Sequence, residues 1–468
     1  MACGLGTQRT VWNCRGIFMT LVAAFAVSTE GEMKTHYGVI FDAGSSGTRI
    51  HIYTWRSGGR AGDFWLMEDD LVKDKPGLSS FARKPQAAGQ SLRKLLDHAR
   101  TKVPQEQRAS TPAFLMATAG LRAVGEKASN AILESVRDVL EASPFLFERD
   151  WAYILSGREE GIFGWVTVNY LRGSILNHRG RPRVKDPPPP TAVIDLGGGS
   201  VQFVYNLPSD VVVPSEYGGE IDLAGRKYNL YAASHMYYGL DHARERLGEA
   251  LSNETHAGTE HPGRHPCIPD GHETVVQAGH WNYQPFIGTG TFEDCADRLH
   301  RLFSRDAPCA SFARSPCIFD TSHQPPLPDS IFGFSYLYDR TRAIGLLDGV
   351  VETFGTQHMT ISDIERAAKA LCAMPASEQE KRCADCDDAP KWRNFCGDAS
   401  YLAVLLRHGF GIASDSTLTM GNKVNGVELV WTLGAIIMKT ASMPQFKATF
   451  ESYQPPPSEV PDSEALEL

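Results

Sequence analysis

The chain has 468 residues, of which 42% are hydrophobic and 22% charged, with a net charge of -9. That length exceeds a single ordinary core and implies two domains or two lobes facing a cleft, and the negative balance excludes a general nucleic-acid binder. A polyanionic ligand stays compatible with it, because a local site can oppose the overall sign.

The N-terminus carries Arg9 and Arg15, then the apolar run "GIFMTLVAAFAV" containing Ala24-Phe25-Ala26. A basic segment, an apolar run and a small-residue site read as a secretory signal peptide over residues 1–26. The run falls short of the roughly 20 residues needed to span a bilayer, so a retained anchor is the weaker alternative and no span is expected after cleavage. "WTLGAIIMKTASM" near the other end is interrupted by Lys439.

"YGVIFDAGSSGTRIHIYTW" (37–55) reads as two strands around a small-residue turn. Residues 85–102 and 126–142 have helical spacing, with the strand "PAFLMATAG" between them and "LSGREEGIFGWVTVNYL" (155–171) after them. The basic and proline-rich stretch 178–190 is a surface loop. It leads into "TAVIDLGGGSVQFVYNL" (191–207), a second copy of strand, aspartate, small-residue turn and strand. Alternating strands and helices imply an α/β fold.

Asn253-Glu254-Thr255 is a glycosylation sequon. Outside the leader, eight cysteines lie between Cys267 and Cys396, an even number that fits disulfides in an oxidising compartment. Cys372, Cys383, Cys386 and Cys396 can alternatively be read as a four-thiolate zinc site. Residues 255–330 look like disulfide-stapled insertions, and the tail from 451 has the composition of a disordered segment.

The doubled phrase carries the chemistry. Each copy ends a strand at an aspartate, Asp42 or Asp195, before a turn whose glycines let backbone N–H groups approach an anion: Gly44 and Gly47 in one, Gly197, Gly198 and Gly199 in the other. Ser45, Ser46, Thr48 and Ser200 add hydroxyls. Two such turns face to face would cradle a phosphate chain, and the paired carboxylates would hold a hydrated divalent cation. Neither copy is a Walker loop or a dinucleotide fingerprint. Between the copies, Thr118 can offer a hydroxyl, and Glu159 and Glu160 open a helix, where either can serve as a base.

With "DAGSSGTR", "ATAGLR", "SGREEGIFGW", "DLGGGSVQF", "FGFSYLYD" and "WTLGA" in this order, the chain resembles the apyrase family of nucleoside triphosphate diphosphohydrolases. The resemblance implies two RNase H-like lobes of the actin, Hsp70 and hexokinase type with the active site between them, lobe I being 36–168 plus about 432–450 and lobe II 169–431. It implies Glu160 as catalytic base, Ser200 and Gln202 positioning water, and Asp42, Asp195 and Thr118 around a hydrated Mg²⁺ or Ca²⁺. Phosphate contacts would come from Gly44, Ser45, Ser46, Gly47 and Thr48 on one loop and from Gly197, Gly198 and Gly199 on the other. Tyr338 and Phe395 would stack on the base. The disulfide pairs implied are Cys267–Cys295, Cys309–Cys317, Cys372–Cys396 and Cys383–Cys386. Substrates would be nucleoside di- and triphosphates, with a leaning to UDP and GDP, for a monomer that is secreted or held in the Golgi lumen.

Two rivals share parts of the signature. Exopolyphosphatases and guanosine pentaphosphate phosphohydrolases also resemble "SGREE" followed by "DLGGGS", and a non-catalytic nucleotide-binding module of the Hsp70 or actin type would use the same cleft.

Overall fold

The computed structural model describes residues 33–44, 47–57, 62–176, 187–254, 262–278, 282–303, 317–318, 322–343, 345, 356–382 and 389–446. The first half builds a five-stranded sheet from β1 (Lys34–Ala43), β2 (Thr48–Ser57), β3 (Phe64–Asp74), β4 (Ala113–Ala117) and β5 (Ala152–Ile154), in the order β3-β2-β1-β4-β5. β1 to β3 are antiparallel, and β4 and β5 add in parallel. Helices α1 (Gln86–Ser91), α2 (Arg93–Lys102), α3 (Ala119–Ala123) and α4 (Glu126–Glu141) belong to this half. The helix expected over 85–102 is thus broken at Leu92 into two short pieces.

After α5 (Gly157–Arg172), the chain forms β6 (Ala192–Leu196), β7 (Ser200–Asn206), β8 (Gly218–Leu223) and β9 (Arg226–Met236), then α6 (Leu240–Glu254). An insertion follows, with β10 (Gly263–His265), β11 (Glu273–Ala278) and β12 (Asn282–Gly288) as a small sheet, then α7 (Phe292–His300) and the pair β13 (Cys317–Ile318) and β14 (Ser322–His323). Next come β15 (Ile331–Ser335), α8 (Tyr336–Ala343), β16 (Thr356–Thr360), α9 (Ile361–Cys372), α10 (Ala376–Arg382), α11 (Phe395–Val404), β17 (Thr417–Gly421), the pair β18 (Lys423–Val424) and β19 (Val427–Glu428), and α12 (Trp431–Ala441). The second sheet runs β16-β17-β15-β6-β7-β9-β8. Its inner strands β9-β7-β6-β15-β17 repeat the topology of the first sheet, so the doubled phrase is a doubled fold.

Side-chain alternation sorts the strands into three cores. Val39 and Phe41 face α2 and α4 on the outside of the first sheet, whereas Ile40 points inward with Tyr53 and Trp55. Ile194 and Phe203 face α6 and α11 outside the second sheet, whereas Val193 and Val204 point inward. The middle core joins both sheets through α5 and α12, and holds Trp165, Leu433 and Ile436 with strand residues from each half.

Close approach at α5 depends on glycine. Gly157, Gly161 and Gly164 recur at helical spacing on one face. A Cβ on Gly161 would lie 2.8 Å from Val204 Cγ2 and 3.0 Å from Gln202 Cβ, and one on Gly164 would lie 3.2 Å from the Phe334 ring. On the other side, a Cβ on Gly434 of α12 would overlap the Phe163 carbonyl of α5. Thr167 Oγ1 bridges the same crossing, donating to the Val430 carbonyl at 2.8 Å and accepting from the Gly434 N–H at 2.7 Å.

Cys267–Cys295 and Cys372–Cys396 are disulfide-bonded, which leaves no four-thiolate site. Cys309, Cys383 and Cys386 lie outside the described residues, and with them the pairings Cys309–Cys317 and Cys383–Cys386, as do the signal peptide and the tail. Asn253 is exposed near the end of α6. Among the described residues no helix is long and apolar enough to cross a membrane. The α5–α12 crossing yields a stability test: Gly434→Ala is expected to cost about 1–3 kcal/mol by overpacking, measured by chemical denaturation. An unchanged unfolding midpoint would contradict the described crossing.

Candidate active site

Each phosphate-type turn sits between two antiparallel strands in the same register. Asp42 pairs with Arg49 across β1 and β2, and Asp195 pairs with Gln202 across β6 and β7. Both aspartates are largely buried. Arg49 Nη1 donates to Asp42 Oδ2 at 2.9 Å. Asp195 accepts from the hydroxyl of Ser335, a residue at the end of β15 with φ of 56°, a strained backbone for anything but glycine.

Glu159 and Glu160 separate cleanly. Ser156 caps α5, accepting from the Glu159 N–H at 3.2 Å and donating its hydroxyl to Glu159 Oε2 at 2.8 Å, a capping box that commits Glu159 to the helix end. Glu160 turns to the interior, where its carboxylate is ion-paired with Arg122 and is 12% exposed. Burial pushes the Glu160 carboxyl up to about 8; Arg122 opposes that shift, and the charges of Asp195 and Asp42 add to it. Asp195 is pushed up to about 6, by burial first and then by Asp42, against the Ser335 hydrogen bond. Three carboxylates from three elements therefore share one low-dielectric space.

Ser200 and Gln202 lie beside them on β7. The Gln202 Nε2 donates to Ser200 Oγ at 2.8 Å and to Ser234 Oγ at 3.0 Å. Gly161, next to Glu160, packs on the Gln202 side chain, so Glu160 and Gln202 come from adjoining elements. Thr118 caps α3 and donates its N–H to the Ala43 carbonyl at 3.2 Å, at the edge of the first turn. The Thr48 hydroxyl is buried with no hydrogen-bond partner among the described residues, as expected of a group awaiting a ligand. Gly44 and Gly47 flank the turn, while Ser45 and Ser46 lie outside the described residues.

The two halves touch at this point. A Cβ on Gly199 would lie 2.7 Å from that of Ala119. Beside the contact opens a cavity of about 720 Å³ lined by Ser79, Ala119 and Gly120 of the first half and by Gly198, Gly199 and Asp241 of the second. Among the described residues, no three His, Cys, Asp or Glu side chains converge as direct ligands. The donor set of Asp42, Asp195 and Thr118 around mutually repelling carboxylates instead suits a cation held through its water shell.

Phe395 is 2% exposed and packs with Ala368, Leu371, Trp392 and Ala399, beside the Cys372–Cys396 bridge and with the Arg340 guanidinium over its ring, whereas Tyr338 is half-buried at the edge of the second core. Sequence reasoning assigned no role to Arg49, Arg122 or Ser335, which hold the three carboxylates. The arginines close the motifs "DAGSSGTR" and "ATAGLR", and a lone positive charge at the end of a small-residue turn was the available signal.

The GDA1/CD39 (nucleoside phosphatase) family profile matches residues 28–453, and the chain belongs to that family. It is 32% identical over 438 residues to ectonucleoside triphosphate diphosphohydrolase 5 of Ailuropoda melanoleuca, covering 90% of each chain. It is 33% identical to guanosine-diphosphatase of Saccharomyces cerevisiae, covering 88% of this chain and 80% of that one. Among solved structures it resembles nucleoside triphosphate hydrolases of Neospora caninum, with a TM-score of 0.63 at 15% identity over 88% of this chain and 93% of the other. That likeness supports the two-lobed fold.

The carboxylate cluster predicts a pH-dependent stability. A carboxyl with an ordinary value of 4.5 that rises to about 8 on folding leaves the folded state holding more protons than the unfolded one between those values. Stability is then greatest below the lower value, falls as pH rises through the interval, and levels off above the upper one. In EDTA, the melting temperature should fall between pH 5 and pH 8, and Glu160→Gln should flatten that slope. Equal slopes in the two proteins would refute the assignment.

Proposed function

We propose that this member of the family hydrolyses the terminal phosphate of nucleoside di- and triphosphates, with Glu160 as general base. The carrying observation is the buried Glu160 carboxylate, presented by α5 beside Asp42, Asp195 and the Ser200–Gln202 pair, with its proton affinity raised into the working range of a base. Arg122 holds the carboxylate in place and favours its ionised form.

In this reading a water lies against Glu160 and is oriented by Ser200 and Gln202. Glu160 takes its proton as the oxygen attacks the terminal phosphorus, and the bond to the bridging oxygen breaks through a loose transition state. The charge spreading over the phosphoryl oxygens meets the turn of Gly197, Gly198 and Gly199 on one side, through the N–H groups of Gly198 and Gly199, since that of Gly197 donates to the Ser200 carbonyl. Gly44, Ser45, Ser46, Gly47 and Thr48 supply donors on the other. A Mg²⁺ or Ca²⁺ ion, held through water by Asp42, Asp195 and Thr118, would neutralise the phosphate chain when bound. Tyr338 and Phe395 are the candidates for contact with the base.

The names of the relatives, guanosine-diphosphatase and ectonucleoside triphosphate diphosphohydrolase 5, support a preference for diphosphates such as GDP and UDP. The two disulfides and the exposed Asn253 support a working site in the secretory pathway, secreted or in the Golgi lumen. We take the protein to act as a monomer.

The test is phosphate release from GDP, UDP, ATP and long-chain polyphosphate, with Mg²⁺, Ca²⁺ or EDTA. Nucleotide turnover abolished by EDTA is expected, and Glu160→Gln should lower kcat by about 10²–10⁴-fold with nucleotide binding retained. Hydrolysis of polyphosphate but no nucleotide, or a Glu160→Gln enzyme at wild-type rate, would overturn the reading.

A further inference from the structure

The second turn is clasped from behind. The Leu240 N–H donates to the Gly197 carbonyl at 2.9 Å, Asp241 and His242 N–H to that of Gly198 at 3.0 and 3.2 Å, and Tyr237 N–H to that of Gly199 at 2.9 Å. All three carbonyls are drawn toward the start of α6, and the Gly197 N–H donates to the Ser200 carbonyl at 3.0 Å, which leaves the N–H groups of Gly198 and Gly199 as the donors the turn can offer a ligand. Gly239 permits the clasp, because a Cβ there would overlap the Gly198 carbonyl.

This arrangement has an electrostatic cost. It brings the Asp241 carboxylate against Gly198, where a Cβ would overlap Asp241 Oδ2. A negative charge at the first turn of α6 suits the helix, but it faces the place where a phosphate must bind. Arg244, one turn along, donates from Nη1 to Asp241 Oδ1 at 2.6 Å. Its other edge is fixed: Nε and Nη2 donate to Asp398 Oδ1 and Oδ2 at 2.8 and 2.6 Å, a two-bond fork onto a carboxylate that is 0% exposed. Arg340 Nη1 approaches the same carboxylate at 3.8 Å, and Cys396, two residues before Asp398, is tied by its disulfide to α9.

We propose that Arg244 is a positioning residue that holds one oxygen of the Asp241 carboxylate and neutralises its charge beside the second phosphate turn, with the buried Asp398 setting the direction of its guanidinium. The inference rests on the nucleotide-hydrolase reading, and it assigns Arg244 no contact with substrate. Removing the arginine would leave an unshielded carboxylate beside the anion, and the penalty falls on binding of the phosphate chain whatever base it carries.

The experiment measures KM and kcat for GDP and UDP at low salt. Turnover by the wild type is established first, so that failure of the nucleotide reading shows there and not in the variants. Arg244→Met should raise KM for both nucleotides by about tenfold, the scale of one partly screened charge, with kcat within about twofold. Adding Asp241→Asn should restore KM to within about threefold of wild type. A merely structural Arg244 would not be rescued in this way, because Asp398 still lacks its two-bond fork in the double variant and keeps only the longer approach of Arg340. Asp398→Asn should shift KM in the same direction by less. If Arg244→Met proves unstable, the single variant Asp241→Asn decides, and should lower KM at low salt. No rescue in the double variant, a KM rise more than about threefold different between GDP and UDP, or a raised KM in Asp241→Asn would each overturn the proposal.

Discussion

The site depends on how closely α5 can approach the second sheet. Glu160 belongs to a helix that follows the first sheet, yet its carboxylate feels the charge of Asp195 of the second, and its neighbour Gly161 packs on Gln202 there. Glycines at 157, 161 and 164 let that helix lie flat on β7, β9 and β15, and Gly434 lets α12 press on its other side. Packing at this density leaves little room to rotate the helix about its axis. A rotation of one residue would exchange Glu160 for Glu159, which the capping box already occupies.

The two phosphate turns share a register but differ in how they are held. The first is bounded by Arg49 on Asp42 and by Gly47 against the Asp74 carbonyl. The second has its carbonyls engaged by the segment that starts α6, a backbone arrangement with no counterpart among the described residues of the first. Duplication explains the pair of aspartates, and divergence explains why Arg49 stands opposite Asp42 where Gln202, bonded to Ser200, stands opposite Asp195.

Much of this was legible in the sequence because it rests on local pattern. Apolar runs ending at Asp42 and Asp195 specify strands, and the residues between them specify turns. Glu160 was distinguishable from Glu159 only through family resemblance, since the capping box that separates them requires knowing where the helix begins. The partners of the carboxylates were not legible: Arg122 and Glu160 are 38 residues apart, and Asp195 and Ser335 meet through two parallel strands. The burial of Phe395 was not legible, because an aromatic residue before a cysteine has the same composition whatever its ring packs on.

The shared middle core also bears on how the chain is made. Trp55, Tyr53 and Ile40 complete their packing against Leu433, Ile436 and Ile437 of α12, nearly 400 residues later. During synthesis from the N-terminus, the first sheet therefore emerges with one face covered by its own helices and the other still open and apolar. α5 covers part of that face through Tyr170 on Phe64, and the rest is completed only once α12 has been made, so the nascent first half keeps apolar surface exposed until then.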